Sequence, residues 1–418
     1  MKVLYDISVL GGASKNNLNR TGIFRVVENL ALGLVTDPEV ETFFCAMKEV
    51  LSSYQYLKAF SSFSQVPFIC SRPLMKIERI KDVVSNKSRQ MASCWKIPLK
   101  ISAEALRFLI KFSQPQSLIS NLEGKDIFHS PYLPIPTEIK RKRKVKKFLT
   151  VYDLIPLMYP EFFEFRKDHL LTKVVKSIGG GTRVLAISHS TKNDLCTYLP
   201  ELDPDQVTVT HLAASSLFYP VSNRAVRSNI LEKYSIPQKP YLLSLSTLEP
   251  RKNIDHTVRC FFKLVQEERL VDLNLVLVGS KGWNYNKIFY ELKQYDFSRE
   301  RVILTGYVAD EDLSALYSGA IAFVYPSLYE GFGLPPLEAM QCGVPVITSN
   351  TSSLPEVVGD AGILVDPRDG DALCAAMLSL FQDSDRREML ARRSLKRAAE
   401  FSWKRCVDET VSAYKKAL

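Results

Sequence analysis

The residues best equipped for chemistry lie in one run, Tyr325-Pro-Ser-Leu-Tyr-Glu330-Gly-Phe-Gly-Leu-Pro-Pro-Leu-Glu338. An apolar, strand-like stretch precedes it and a helix opens within it. Pro335 or Pro336 suits that helix's first turn, where a missing N–H costs nothing. Gly331 and Gly333 let the backbone approach a ligand closely, and a helix N-terminus aims N–H groups and a positive dipole end at an anion. Glu330 falls before the helix and Glu338 one turn inside it, so two carboxylates flank the anion position. Carboxylates accept hydrogen bonds from hydroxyls. A phosphate between two polyols, as in a sugar nucleotide, is the ligand this pattern fits.

A second group, Glu249-Pro-Arg251-Lys252-Asn253, follows the strand-like Tyr241–Ser246 and delivers two cations to a strand end. A fixed guanidinium and a compact ammonium can neutralise a diphosphate, both in binding and as charge builds on a leaving group. The 8 cysteines and 5 histidines are scattered, with no Cys-x-x-Cys pair. Neither a zinc site nor a disulfide framework is expected, and buried thiols in a reducing cytosol are.

Elements that alternate along the chain must position these groups. Lys2–Ser8 reads as a strand, the Gly/Asn-rich segment from Gly11 to Gly22 as a loop, and Ile23–Val35 as a helix with Ile23, Val26, Val27, Leu30 and Leu34 on one stripe. Further strands are expected at Asp126–His129, Phe148–Tyr152, Val184–Ser188 and Val207–Thr210. After a low-apolar stretch, Tyr219–Pro240, a second set follows at Tyr241–Ser246, Leu273–Gly279, Val302–Gly306, Ala320–Tyr325, Val344–Thr348 and Gly362–Val365. Such alternation makes parallel strands with crossover helices: two doubly wound α/β domains, with the working site in the cleft beyond the strands' carboxyl ends. A length of 418 residues suits two or three domains, and 46% apolar with 24% charged residues excludes a disordered or fibrous chain. No run approaches the roughly 18 apolar residues of a membrane span, and the start of the chain does not read as a signal peptide. Charge is uneven. The net +10 arises within residues 51–150, which hold 19 basic and 6 acidic side chains, or +13, against −3 elsewhere.

The Glu330–Glu338 run with Cys-Gly343-Val-Pro-Val-Ile after it resembles the signature of the retaining glycosyltransferases of family four. Thr247-Leu-Glu-Pro-Arg-Lys-Asn253, Tyr5-Asp6 with Asn19-Arg-Thr-Gly22-Ile, His129-Ser-Pro-Tyr, Tyr152-Asp153-Leu-Ile-Pro, Ala186-Ile-Ser188-His-Ser190 and Ser353-Leu-Pro-Glu356 extend the likeness over most of the chain. The resemblance implies a GT-B fold: an acceptor-binding Rossmann-like domain at 1–220, a nucleotide-sugar-binding one at 221–403, and a closing helix, 404–418, packing back on the first. It implies no catalytic metal and no cofactor, the nucleotide-sugar being a substrate. Glu330 would hold donor-sugar hydroxyls or support the transition state, and Glu338 would bind the ribose. Phe332, Gly333 and Leu334 would offer N–H groups to sugar and phosphate, and Gly331 a close approach. Gly22 would face the diphosphate alongside Glu249, Arg251 and Lys252, with the base near Tyr307 or Val308. Asp153 would orient or deprotonate the acceptor hydroxyl, or serve only as a turn residue.

Two departures from that family stand out. Ser246 and Thr247 replace a common Gly-Arg, so Arg251 takes the missing arginine's part; Tyr152 stands where many relatives have His. His129 is expected to pack under a loop, and Ser190 or Thr191 with Asp194 to cap a helix. The expected reaction is hexosyl transfer with retention, by front-face displacement, to a saccharide hydroxyl on a lipid-linked glycan. GDP-mannose is the expected donor, because the two motifs look like those of bacterial polysaccharide mannosyltransferases. The basic window, Arg72–Lys111 with interleaved Trp95, Ile97, Leu99, Phe108 and Leu109, and Lys140–Lys147 with seven cations in eight residues, suits an anionic membrane surface better than nucleic acid. That places the protein peripherally on the inner face of the membrane. A nucleotide-sugar epimerase of the same fold, a glycan phosphorylase and a non-catalytic basic binder are the rivals.

Overall fold

A computed structural model describes residues 1–16, 22–90, 101–110, 118–119, 122–163, 170–179, 181–280, 282 and 300–418. Of the motifs above, residues 19–21, Trp95, Ile97, Leu99 and Lys111 lie outside them.

Two six-stranded sheets, parallel at each strand pair, form two lobes. The first holds β1 (Lys2–Asp6), β2 (Glu41–Cys45), β3 (Ile127–Ser130), β4 (Lys146–Val151), β5 (Thr182–Ala186) and β6 (Val207–Val209) in the order β2-β1-β3-β4-β5-β6. The second holds β7 (Tyr241–Leu245), β8 (Asn274–Val278), β9 (Val302–Gly306), β10 (Ala322–Tyr325), β11 (Val346–Ser349) and β12 (Ile363–Val365), ordered β12-β11-β10-β7-β8-β9. Helices cover both faces, which is why β8 (Asn-Leu-Val-Leu-Val) and β10 (Ala-Phe-Val-Tyr) are buried along their whole length. In the second sheet the order reverses between β7 and β10. Ligands of open α/β sheets bind in the crevice beyond such a switch. The loops leaving β7 and β10 are the two sequence motifs.

The expected strands are all present, with ends moved by one or two residues. Edge strand β2, which opens on Glu41 and is short, gives little periodic signal and was not expected. The low-apolar stretch Tyr219–Pro240 contains a helix, Arg224–Lys233, capped by Asn223, whose Oδ1 accepts from Ala225 and Val226 N–H. The last helix, Trp403–Ala417, returns to the first lobe and lies against the helix Gly22–Thr36. A Cβ on Gly33 would stand 2.1 Å from Val407 Cγ2, so only glycine permits this crossing. Its Tyr414 hydroxyl is 2.5 Å from His129 Nδ1, whose Nε2 lies 2.9 Å from Thr150 Oγ1. His129 is therefore a neutral core residue of β3, held neutral by burial, rather than a side chain under a loop.

The basic run 140–147 also divides. Residues 141–144 are exposed, while Lys147 is buried in β4, its ammonium donating to the Lys142 carbonyl at 2.6 Å. The helix Arg72–Gln90 buries an ion pair, Glu78 with Lys81, and exposes Lys76, Ile80, Val83 and Lys87, a stripe at i, i+4, i+7 and i+11. Residues 101–110 expose Ile101, Phe108 and Leu109. Among the described residues, no helix is long and apolar enough to cross a membrane.

Candidate functional site

After β7 the chain makes a tight 3₁₀ turn, Pro250–Lys252, and Asn253 follows in the left-handed conformation at φ 59°. The Asn253 amide donates to the carbonyls of Pro326 (3.0 Å) and Pro367 (2.7 Å), and Leu328 N–H donates to the Arg251 carbonyl at 2.9 Å. These bonds fasten the cation turn to the loop leaving β10. Two motifs whose paired residues lie 78 and 79 positions apart become one site, since Glu330 receives both cations: Arg251 Nη1 at 2.8 Å from Oε2 and Lys252 Nζ at 2.6 Å from Oε1. The hydroxyls of Tyr325 (2.8 Å) and Ser327 (2.6 Å) also donate to Oε1. Burial pushes the Glu330 pKa up, but Arg251 and Lys252 pull harder and hold the carboxyl down to about 2. It is an anion throughout the working range.

The cations are held as tightly. Arg251 also donates to Glu249 Oε1 (2.7 Å) and the Tyr329 carbonyl (2.7 Å), and its Nε–H is buried with no partner among the described residues. Lys252 spends a second N–H on the Tyr325 hydroxyl at 2.6 Å, leaving its third. Burial lowers the Lys252 pKa, and the charge of Glu330 opposes that. The site therefore holds cationic N–H groups that the protein itself does not use up. An anion can take them.

Beside this cluster a cavity of about 460 Å³ opens at the carboxyl ends of β7, β8 and β9, within the range of small-molecule sites. Ser246, Thr247, Lys252, Tyr307, Asp310 and Pro335 are on its wall. The helix Leu334–Gln341 begins at its edge. Pro335 and Pro336 carry no N–H, so the backbone groups of Phe332, Gly333 and Leu334 are the ones that can point outward. Gly333 has φ 107°, which glycine alone adopts without strain, and a Cβ there would meet Leu354 Cδ2 at 2.9 Å. The Phe332 ring turns inward against His211 and Phe401.

Glu338 does not join the cluster. It faces the opposite lobe, its Oε1 3.5 Å from Nη1 of Arg25 and its Oε2 accepting from the Tyr317 hydroxyl at 3.3 Å. Arg25 also pairs with Asp310. Burial raises the Glu338 pKa to about 7, against the pull of Arg25. Gly22, which starts the helix carrying Arg25, approaches the Leu334 side chain; a Cβ on it would lie 3.6 Å from Leu334 Cδ1.

The lobes meet along residues 329–331. Tyr329 donates to both Asp194 oxygens (2.7 and 2.9 Å), and Ser188 donates to the Gly331 carbonyl at 2.7 Å. A Cβ on Gly331 would come within 2.5 Å of the Tyr152 carbonyl and 2.9 Å of Asp153 Cβ. Asp153 is thereby placed next to the ion cluster; its pKa is raised by burial, with Arg251 and Lys252 opposing. It accepts from Ile155 N–H at 3.0 Å and, with Tyr132, Thr150, Tyr152 and Ile23, lines a smaller cavity of about 180 Å³ in the first lobe. The expected cap at Ser190 or Thr191 is corrected. Ser188, in extended conformation, caps the helix His189–Tyr198 by accepting Thr191 N–H at 3.0 Å, and Asp194 serves Tyr329 instead.

Among the described residues, one group has ligand atoms close enough for a metal, His189, His211 and Glu356, within 4.8 Å of one another. Glu356 accepts from His189 N–H at 2.8 Å and stands 2.6 Å from His211 Nε2, so the group works as a joint between lobes. Sequence reasoning passed over Tyr325, Ser327, Arg25, Asp310 and Tyr317. For Arg25 and Asp310 a signal existed, each being a charged residue at or near the start of a helix flanking the cleft.

Residues 226–397 match the family model described as glycosyl transferases group 1. The chain is 37% identical over 333 residues to O-antigen chain mannosyltransferase B of Escherichia coli, covering 79% of this chain and 84% of that protein. It is 32% identical over 266 residues to the serotype-specific mannosyltransferase WbdA of Escherichia coli, covering 62% of this chain but only 32% of that longer protein. The crystal structure of Anabaena HepE with UDP superposes over 100% of both chains with a TM-score of 0.68 at 14% identity, a likeness of fold.

Proposed function

Because the chain belongs to the group 1 glycosyltransferases, with the GT-B fold, we propose that it transfers mannose from GDP-mannose to a saccharide hydroxyl with retention of configuration. The observation that carries this reading is the buried Glu330–Arg251–Lys252 cluster at the switch point of the second sheet, beside a cavity of about 460 Å³. The matched relatives named as mannosyltransferases support the choice of sugar.

The diphosphate is received by the unspent N–H groups of Arg251 and Lys252 and by the backbone amides at 332–334. In the reaction the bond between sugar C1 and the phosphate oxygen breaks while the acceptor oxygen bonds to C1 on the same face. The acceptor proton passes to the departing phosphate oxygen. Fixed cations stabilise the charge that accumulates there without reorganisation, which is the largest catalytic effect such a site offers. Glu330, an anion at every working pH, holds both cations in place and offsets positive charge developing on the sugar. Asp153, between the cluster and the smaller cavity, orients the acceptor hydroxyl. Glu338 binds the ribose.

The acceptor is a growing glycan on a lipid carrier, and the protein works at the inner face of a membrane. Support comes from the exposed Lys76–Ile80–Val83–Lys87 stripe, from Ile101 and Leu109, and from the cations at 141–144. Each cation near an anionic surface contributes about 1 kcal/mol.

The test is incubation of the purified protein with GDP-mannose and a mannose-terminated oligosaccharide, reading products by anomeric NMR coupling. An α-linked product from the α-linked donor is expected. An inverted product, or conversion of GDP-mannose to an epimer without acceptor, would replace the reading. Co-sedimentation with anionic and with neutral vesicles tests the membrane surface; equal recovery with Ile80→Glu/Leu109→Glu would remove it.

A further inference from the structure

The second sheet supplies most of the nucleotide-sugar site from its own loops, but one charged contact comes from the other lobe. Gly22 starts its helix against Leu334, and one turn further along both helices Arg25 reaches Glu338. The approach of the two helix starts thus brings a guanidinium over two carboxylates. One is Glu338 at 3.5 Å and the other Asp310, at the start of the helix Asp310–Gly319 and on the wall of the larger cavity. The Asn29 side-chain amide donates to the Arg25 carbonyl at 2.7 Å within the same helix.

This arrangement solves an electrostatic problem. Glu338 is 6% exposed and shares its surroundings with the charge of Asp310, the Tyr317 hydroxyl and the Cys342 thiol. Burial and a like charge both favour a proton on the carboxyl. The cations of the second lobe that line the cavity, Arg251 and Lys252, are engaged by Glu330 and Glu249. Among the described residues, the charge of Arg25 is the larger influence opposing protonation of Glu338, and the hydrogen bond from the Tyr317 hydroxyl adds to it. An arginine is suited to this, since it stays charged at any pH and can face two carboxylates with one planar group.

We propose that Arg25 is a positioning residue lent by the first lobe to the nucleotide-sugar site, keeping the Glu338 carboxylate charged and directed at the ribose hydroxyls. This rests on the assignment of Glu338 to the ribose made above. It makes a competent ribose site depend on a side chain from each lobe. Burial holds the Glu338 carboxyl near neutrality even with Arg25 present, so a change at residue 25 is read out in the physiological range.

Calorimetric titration of GDP into the full-length protein between pH 6 and 9 provides the test. The wild type is expected to bind more weakly on the acid side, with a midpoint near 7. Arg25→Met moves that midpoint upward, weakening binding at pH 7 by about fivefold for a displacement of one unit and recovering by pH 9. Arg25→Lys, which keeps the charge, restores most of the affinity at pH 7 and guards against a folding defect in Arg25→Met. Glu338→Gln binds weakly and shows only the pH dependence that comes from ionisation of GDP's own terminal phosphate, with no further step near 7. If Arg25→Met binds as the wild type does, or is weakened equally at all pH values while still melting cooperatively, the proposal falls and the ribose assignment stands. If Glu338→Gln binds GDP like the wild type, the ribose assignment itself fails.

Discussion

Glu330 and Glu338 are both buried glutamates eight residues apart, yet their surroundings drive them in opposite directions, one held to about 2 and the other raised to about 7. Linkage turns this into stability. For Glu330 the folded pKa lies below the ordinary 4.5, so its contribution is complete above that value and is lost as pH falls toward 2. Glu330→Gln leaves two buried cations short of a partner and is expected to cost about 3 kcal/mol in urea denaturation. The deficit should be constant from pH 6 to 9 and narrow below pH 4; a variant as stable as the wild type would deny the cluster any structural role. For Glu338 the folded pKa lies above 4.5, so the folded state loses stability as pH rises from there through 7. Glu338→Gln should therefore be more stable than the wild type at pH 8, by on the order of 3 kcal/mol, and close to it at pH 4. Equal stability at both pH values would contradict the raised pKa.

At the scale of elements, the site depends on how closely loops may approach. Gly331 rests on the Tyr152–Asp153 backbone with no room for a side chain. In Gly331→Ala a methyl group would meet the Tyr152 carbonyl, and the lobes must part to admit it. Transfer is expected to fall at least about tenfold with little change in melting temperature, since both sheets keep their cores. Unaltered kcat/KM would show that the contact has slack. The turn Pro250–Asn253 and the loop leaving β10 are legible in the sequence as separate motifs, because glycine, proline and paired charges act over a few residues. Their hydrogen-bonded union is not legible, since the Asn253–Pro326 bond joins segments 73 residues apart. The Ser188 cap was missed for a related reason. Ser188 and Ser190 both suit the role, and only the extended backbone at 188 decides between them.

At the scale of the molecule, the chain ends where it began. The helix Trp403–Ala417 follows the second sheet but buries Val407, Val411 and Tyr414 in the core of the first lobe. Deleting residues 403–418 removes these side chains and leaves His129 without its Tyr414 partner. A truncated protein should lose the cooperative unfolding of the first lobe while the second still binds GDP; two unchanged transitions in calorimetry would refute this. The same return path ties the second sheet to the first lobe through the helix Gly22–Thr36, the helix that also carries Arg25.

The sequence by itself determined most of the alternating elements and both sheets, because apolar periodicity and turn chemistry are local; it missed β2, the helix Arg224–Lys233 and the helix Ser8–Asn16, where a loop was expected. It also carried both charged motifs in full. What it left open was which charge faces which: Glu330 paired with Arg251 and Lys252, Glu338 turned to an arginine 313 residues away, and Lys147 buried while its basic neighbours are exposed. Only the tertiary structure decided these, since a charge's partner and its solvation are set by the packing of one lobe on the other, and that packing is written in no single stretch of chain.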